Sequence, residues 1–312
     1  MKKLVIISRD WEIYKARFEA SKELQTRFLL IEAGNTCATA SLKQAELMLA
    51  EPDLASECIT NCSQLSWLQS TWAGNNKLQA VPKKDYKLTG VKGVFGLQMV
   101  EYVLSYLLYF TRRIEDFKAL KLSKTWSQLP SQTLSNYAIG IMGLGSIGQE
   151  LAQRLLQFDM TVNGMSRSHK NIHNVNDFTY EELPAFLSNC DFVINLLPET
   201  DATRGLCNRQ FFEQMKKGSI FINAGRGSAI DSPQSLIVAL EEEWLKAAVL
   251  DVFDQEPLPV NHAYYTTKNM YVTCHTAAIS DPHQVFDLFE KNAANYDCGE
   301  ALLYEHDFSR GY

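Results

Sequence analysis

Apolar residues along this chain fall into short blocks, separated by stretches in which they recur every three to four positions. Leu4–Ser8, Phe28–Glu32, Leu47–Ala50 and Leu65–Ser70 are blocks of strand length, and helical patterns lie between them, as in Trp11–Leu24. Continuous apolar runs, rather than alternating ones, belong to strands covered on both faces, the condition of parallel sheets. From about Met99 to Leu120 the pattern predicts one long helix whose apolar residues cover more than one face, as expected of a helix buried between domains or subunits. The rhythm then resumes: Ala138–Met142, Met160–Met165, Phe192–Leu197, Ser219–Asn223, Ala247–Asp251 and Met270–Cys274 read as six roughly parallel strands. A last helix, from about Pro282, has to return to the first domain if that domain is to be covered. The prediction is an α/β protein of two Rossmann-like domains with doubly wound parallel sheets.

One block has a specific continuation. After Ala138–Met142 come Gly143, Gly145 and Gly148 at G-x-G-x-x-G spacing; Ile147, Leu151, Leu155 and Phe158 then repeat at helical intervals before the strand Met160–Met165. That strand–turn–helix–strand context is what makes the motif a dinucleotide fingerprint. Gly143 allows the tight turn, and Gly145 lets backbone amides approach a pyrophosphate. Gly148 lets the helix pack closely on the strand, while the helix start at Ser146 and Ile147 faces the phosphate charge. An NAD-binding unit carries Asp or Glu about 20 residues past the glycines for the ribose 2′-hydroxyl. Here that place reads Ser166-Arg167-Ser168, with Lys170 close behind. A guanidinium between two hydroxyls can hold a 2′-phosphate in bidentate fashion. The expected cofactor is NADP(H), in preference to NAD(H).

Composition narrows the class. A chain of 312 residues, 46% hydrophobic and 21% charged, has the make-up of an ordinary soluble globular protein of two domains. A formal net charge of −6 argues against a general nucleic-acid or membrane-surface role. The basic start Met1-Lys2-Lys3 leads into an apolar run that stops at Ser8-Arg9-Asp10, which reads as a first strand rather than a signal peptide. No run approaches transmembrane length. Seven cysteines without a small-scaffold spacing fit free thiols in a reducing cytoplasm, the expected location. Cys58 and Cys62, like His169 and His173, are about one helical turn apart but lack the further ligands of a metal site, so no metal is expected.

In doubly wound sheets, ligands bind at the carboxyl ends of the strands. Three chemically capable residues fall at such ends. Arg226 follows Ser219–Asn223 in I-N-A-G-R-G, Glu256 lies beyond Asp251 in D-V-F-D-Q-E-P-L-P, and His275 follows Met270–Cys274 in Y-V-T-C-H-T-A-A. Reduction of a 2-oxo acid puts negative charge on the carbonyl oxygen, and a protonated imidazole can deliver the proton. A neighbouring carboxylate favours the protonated imidazole and fixes its tautomer. A guanidinium can bind the substrate carboxylate and polarise the carbonyl.

These residues carry a family resemblance. Over essentially its whole length the chain resembles the D-isomer-specific 2-hydroxyacid dehydrogenases, and more closely the bacterial glyoxylate/hydroxypyruvate reductase A group. The pieces are G-L-G-S-I-G, G-M-S-R-S, I-N-L-L-P-E-T, I-N-A-G-R-G, L-D-V-F-D-Q-E-P-L-P, V-T-C-H-T-A-A-I, Q-M-V-E-Y-V-L-S and the terminal R-G-Y. The resemblance implies a nucleotide-binding domain, residues 98–281, inserted in a flavodoxin-like substrate domain made of 1–97 plus 282–312. It gives Arg226, Glu256 and His275 the roles argued above, with His275 as acid in reduction. It also implies that Ala73 and Gly74, in T-W-A-G-N-N, offer amides to the substrate carboxylate. Leu197, Pro198, Ala224 and Asp251 would line the cofactor, Asp251 near the nicotinamide carboxamide, in a homodimer joined through the nucleotide domains. The implied activity is NADPH-dependent reduction of glyoxylate to glycolate and of hydroxypyruvate to D-glycerate. A reductase of bulkier 2-oxo acids such as phenylpyruvate, and a non-catalytic dinucleotide sensor on the same fold, are the alternatives.

Several positions depart from the family pattern. Cys274 stands where Pro commonly precedes the histidine, and Asn75-Asn76 replaces the usual Val-Asp. Trp72 brings a large ring to the substrate loop: pointing inward it favours small substrates, pointing outward it is packing. Trp126 matches a tryptophan that in relatives reaches into the neighbouring subunit's site.

Overall fold

A computed structural model describes residues 1–309, so the terminal motif Arg310-Gly311-Tyr312 lies outside the described residues. The chain divides into two units: one formed by both chain ends, Met1–Val94 and the segment from Ser280 onward, and a contiguous one, Phe95–Ile279. Among the described residues no helix is long and apolar enough to cross a membrane.

In the first unit the apolar blocks become β1 (Lys2–Ile7), β2 (Phe28–Gly34), β3 (Leu47–Ala50) and β4 (Trp67–Ser70), joined by β5 (Lys87–Thr89). They pair in parallel in the order β2-β1-β3-β4-β5, which is the flavodoxin-like winding. Leu4, Val5, Ile6, Met48 and Leu49 are fully buried, as the unbroken apolar runs require. β5 went unread because it has three residues, of which Lys87 is exposed. The expected helix Trp11–Leu24 is two helices, Trp11–Ala20 and Lys22–Arg27. Ser21 separates them: its backbone turns extended, and its hydroxyl caps the second by accepting the Leu24 amide at 3.4 Å. The helix Pro282–Cys298 belongs to this unit, with Phe289 stacked on Trp67 at 5.5 Å and Asn292 donating to Gln69 at 2.9 Å.

The second unit contains β6 (Ala138–Met142), β7 (Thr161–Met165), β8 (Val175–Phe178), β9 (Phe192–Asn195), β10 (Ser219–Asn223), β11 (Leu245–Leu250) and β12 (Met270–Val272). Their order is β12-β11-β10-β9-β6-β7-β8, a doubly wound sheet whose direction of growth reverses between β6 and β9. The additional strand β8 lies at the sheet edge and reads V-N-D-F, with no fully buried residue and no apolar block to mark it. One face is buried under Val103, Leu107, Leu151 and Leu155, the other under Phe186, Phe211, Phe212 and Leu236.

The single helix expected over Met99–Leu120 is interrupted. Gly96–Thr111 ends at Arg112, and Arg113 adopts a left-handed backbone, φ 57°, before Ile114–Leu122 begins. No Gly or Pro marks that break. Glu115 and Asp116 sit in the first turn of the new helix, where its dipole favours acids, and Asp116 holds Arg113 at 2.6 Å. The first helix buries Met99, Val103, Leu107 and Phe110 within this unit, whereas the second has no buried residue.

Candidate active site

The carboxyl ends of β6, β7, β9, β10, β11 and β12 carry, in turn, the glycine turn, Ser166–Ser168, Leu197-Pro198, Ala224–Arg226, Asp251 and His275. The switch point between β6 and β9 therefore gathers the cofactor candidates along one edge of the sheet.

Each glycine has a different environment. Gly143 adopts φ 103°, and a Cβ there would approach the Leu196 carbonyl at 3.0 Å. A Cβ at Gly148 would collide with the Gly143 carbonyl, so the helix Ser146–Leu156 needs glycine to sit this close to the turn. At Gly145 a Cβ would meet nothing within 4 Å. Gly145 is the N-cap of that helix and, having no side chain, offers no cap. The open direction thus lies beside first-turn amides that lack intrahelical acceptors, and a pyrophosphate fits there.

At the end of β7, Ser166 is buried and donates to the Ser168 carbonyl at 2.7 Å, while Arg167 and Ser168 are exposed. Sequence reading missed a carboxylate that β8 brings to this loop. Asp177 Oδ2 accepts the Lys170 amide and, at 2.8 Å, the Asn171 amide. It holds the loop from behind.

Two buried asparagines, also missed, brace the central strand ends. Asn195 donates to Asn223 Oδ1 at 2.9 Å and its own Oδ1 accepts the Leu197 amide at 3.2 Å. Asn223 accepts the Gly225 amide at 3.3 Å and donates to the Arg226 carbonyl at 3.0 Å. A polar residue closing an apolar strand is the signal that marks both. Arg226 Nη1 donates to the Gly225 carbonyl at 2.7 Å. Burial lowers the pKa of the guanidinium, against the opposing pull of Glu199 and Glu256.

Glu256 and His275 meet directly. Glu256 Oε2 lies 2.8 Å from His275 Nδ1, and Oε1 accepts the Phe253 amide at 2.9 Å. Burial pushes the Glu256 carboxyl upward. Hydrogen bonds from His275 and the Phe253 amide, with the charges of His275 and Arg226, outweigh this and hold it below its ordinary value. An ionised carboxylate only accepts, so Nδ1 bears hydrogen in this pair and Nε2 is left for substrate.

His275 itself has φ 56°, uncommon for a residue with a Cβ. Its amide donates to the Asp251 carbonyl at 2.7 Å. The Asp251 side chain, 1% exposed, accepts from Thr273 Oγ1 at 2.6 Å, the Thr276 amide at 2.8 Å and the Ala277 amide at 2.9 Å. Tyr102 of the helix Gly96–Thr111 reaches Thr273 Oγ1 at 2.9 Å. Three of the roughly four acceptor positions of Asp251 are thereby used.

In the first unit, Trp72, Ala73 and Gly74 follow β4. The Trp72 amide donates to Ser70 Oγ at 3.1 Å, and the Trp72 ring is 37% exposed. Cys274 is an exposed free thiol and Trp126 is 98% exposed. Among the described residues no group of three or more His, Cys, Asp or Glu is arranged to hold a metal ion.

The sequence model of the D-isomer specific 2-hydroxyacid dehydrogenase NAD-binding domain matches residues 104–277. The chain is 36% identical to glyoxylate/hydroxypyruvate reductase A of Salmonella paratyphi B over 218 residues, 70% of each chain. A D-isomer specific 2-hydroxyacid dehydrogenase family protein from Aeromonas salmonicida superposes with TM-score 0.91 at 32% identity, over 98% of this chain and 99% of that one. An NADPH-dependent glyoxylate/hydroxypyruvate reductase from Sinorhizobium meliloti, in complex with NADP and sulfate, superposes with TM-score 0.87 at 27% identity over the full length of both. The chain belongs to the D-isomer specific 2-hydroxyacid dehydrogenases, and it is an oxidoreductase with an NAD-binding domain.

Proposed function

We propose that this protein is a cytoplasmic reductase of glyoxylate and hydroxypyruvate that prefers NADPH to NADH, with His275 as the proton donor. The observation that carries the reading is the 2.8 Å pair of His275 Nδ1 with Glu256, with a half-buried Arg226 whose charge acts on Glu256 at a neighbouring strand end. A reduced nicotinamide cofactor, when bound, would supply the hydride. Arg226 holds the substrate carboxylate and polarises its carbonyl; in the first unit, the Ala73 and Gly74 amides are assigned to substrate binding. Glu256 fixes the imidazole so that Nε2 delivers a proton to the carbonyl oxygen as charge develops there. Asp251 has one acceptor position for the carboxamide; Gly145, Ser146 and Ile147 take the pyrophosphate, and Leu197, Pro198 and Ala224 line the dinucleotide. Exposed Leu122, Phe117 and Trp126 on the second unit support assembly as a homodimer through that unit.

Arg167 and Ser168, exposed at the end of β7, are assigned to the 2′-phosphate. Arg167→Ala is expected to raise the KM for NADPH about 10–100-fold, the worth of a charge-assisted pair, and that for NADH less than threefold. Equal losses for both cofactors would remove the 2′-phosphate assignment.

The function is tested by cofactor oxidation with glyoxylate, hydroxypyruvate and phenylpyruvate, each with NADPH and with NADH. Fast turnover of the two small acids with NADPH is the expected result. Preference for phenylpyruvate would keep the chemistry and overturn the substrate class.

A further inference from the structure

We propose that Tyr102, Thr273 and Asp251 form a positioning chain for His275, in which a hydroxyl on the helix Gly96–Thr111 helps hold the loop 273–277 in the shape that presents the imidazole. The proposal rests on His275 being the proton donor.

The chain has a direction. Thr273 Oγ1 donates its single hydrogen to Asp251 Oδ1 at 2.6 Å, so the contact with Tyr102 at 2.9 Å must be donated by the phenol. Burial pushes the Tyr102 phenol far above its ordinary value, so it keeps that proton. Asp251 then ties both flanks of the histidine to one side chain: Thr273 on one side, Thr276 and Ala277 on the other. Its own carbonyl holds the His275 amide at 2.7 Å. A residue with a Cβ at φ 56° persists in that region only when its surroundings over-determine it. Four hydrogen bonds from residues 273–277 to Asp251 do so here, and Tyr102 stands behind the one that comes from a side chain.

The Tyr102 end is also fixed. Its ring meets Tyr106 edge-on at 5.2 Å, and Tyr106 packs edge-on against Tyr271 of β12 at 6.4 Å. The helix and the strand that leads into the histidine loop are thus packed together, and the phenol sits at a defined distance from Thr273. The chain acts on His275 through the backbone, whereas Glu256 acts on the ring.

The test uses the full chain with glyoxylate and NADPH. Thr273→Val keeps the shape of the side chain and deletes its hydroxyl. We expect kcat to fall about tenfold or more, as small misplacements of a catalytic group do, with KM for glyoxylate and Kd for NADPH within about twofold of the parent. Thr273→Ser, which restores the hydroxyl, should return kcat to within about threefold. Tyr102→Phe should lower kcat about threefold with the same split, and the double variant Tyr102→Phe/Thr273→Val should be no worse than Thr273→Val alone. A normal kcat in Thr273→Val, a loss that serine does not rescue, or a loss shared equally by kcat and cofactor affinity overturns the proposal. Should Thr273→Val fail to fold, Tyr102→Phe decides, and an unchanged kcat in it overturns the chain. His275→Asn, measured alongside, separates the two readings. Near-normal turnover in it refutes the proton donor, whereas an inactive His275→Asn beside a normal Thr273→Val refutes only the positioning chain.

Discussion

Replacing His275 by asparagine is expected to lower turnover of glyoxylate about 10²–10⁴-fold, the range of a positioned general acid, while leaving NADPH affinity nearly intact. Asparagine retains a polar group that can reach Glu256, so the loop should survive; what is lost is the exchangeable proton. Glu256 sets the acid side of the pH dependence. Its carboxyl is held below the ordinary 4.5, because His275, the Phe253 amide and Arg226 together outweigh the penalty of burial. A depressed carboxyl contributes its pairing above the unfolded value and loses it as pH falls through the folded value. The Glu256–His275 pair is therefore complete at neutral pH and is lost only below about pH 4.5. Turnover measured from about pH 5 upward should show no limb from Glu256. His275→Asn with kcat within tenfold of the parent would refute the assignment of the acid.

The second large effect is at Arg226. Arg226→Gln is expected to lower kcat/KM for glyoxylate about 10²–10³-fold, the loss seen when one donor to a developing oxyanion is removed. Arg226 lies in the field of Glu199 and Glu256, and burial works against its charge. A neutral amide there neither binds a carboxylate in bidentate fashion nor balances those acids. Arg226→Lys keeps the charge but not the planar fork, so it should recover only part of the loss. Melting temperature and NADPH affinity are the controls: a variant that binds cofactor normally and still reduces glyoxylate at full efficiency would take Arg226 out of the mechanism.

The parts of the fold that were legible in the sequence are those whose burial is uniform. β9 and β10, Phe192–Asn195 and Ser219–Asn223, are buried at every position, so each appears as an unbroken apolar block. Elements that lie at an edge or break without a marker were not legible. β8 has two polar residues at its centre and none fully buried, β5 is three residues long, and the helix break at Arg113 carries no Gly or Pro. Hydrophobic periodicity records which face is covered, not where the backbone turns left-handed. The same holds at the site. Glu256 and His275 could be found because each follows a strand end, and the structure brings them together at 2.8 Å. The Asp251 loop contacts join residues that are 22 to 26 positions apart, and Tyr102 lies 171 positions from Thr273. No spacing rule reaches that far. Asp177 behaves likewise, since it is remote from Ser166–Ser168 until β8 pairs with β7.

The chain-end construction of the first unit has a consequence for synthesis. Its sheet starts with Lys2–Ile7, yet Trp67 stacks on Phe289 and Arg17 reaches Asp287 at 2.7 Å across 270 positions. At about 5–20 residues per second, the ribosome delivers that partner helix only some tens of seconds after the first strand. During that interval the apolar surface around Trp67 has no cover, whereas Phe95–Ile279 emerges as one uninterrupted segment with its whole core in hand. The unit translated first is the one completed last. A stop codon shortly before Pro282 would leave Phe95–Ile279 whole while depriving the other unit of its closing helix.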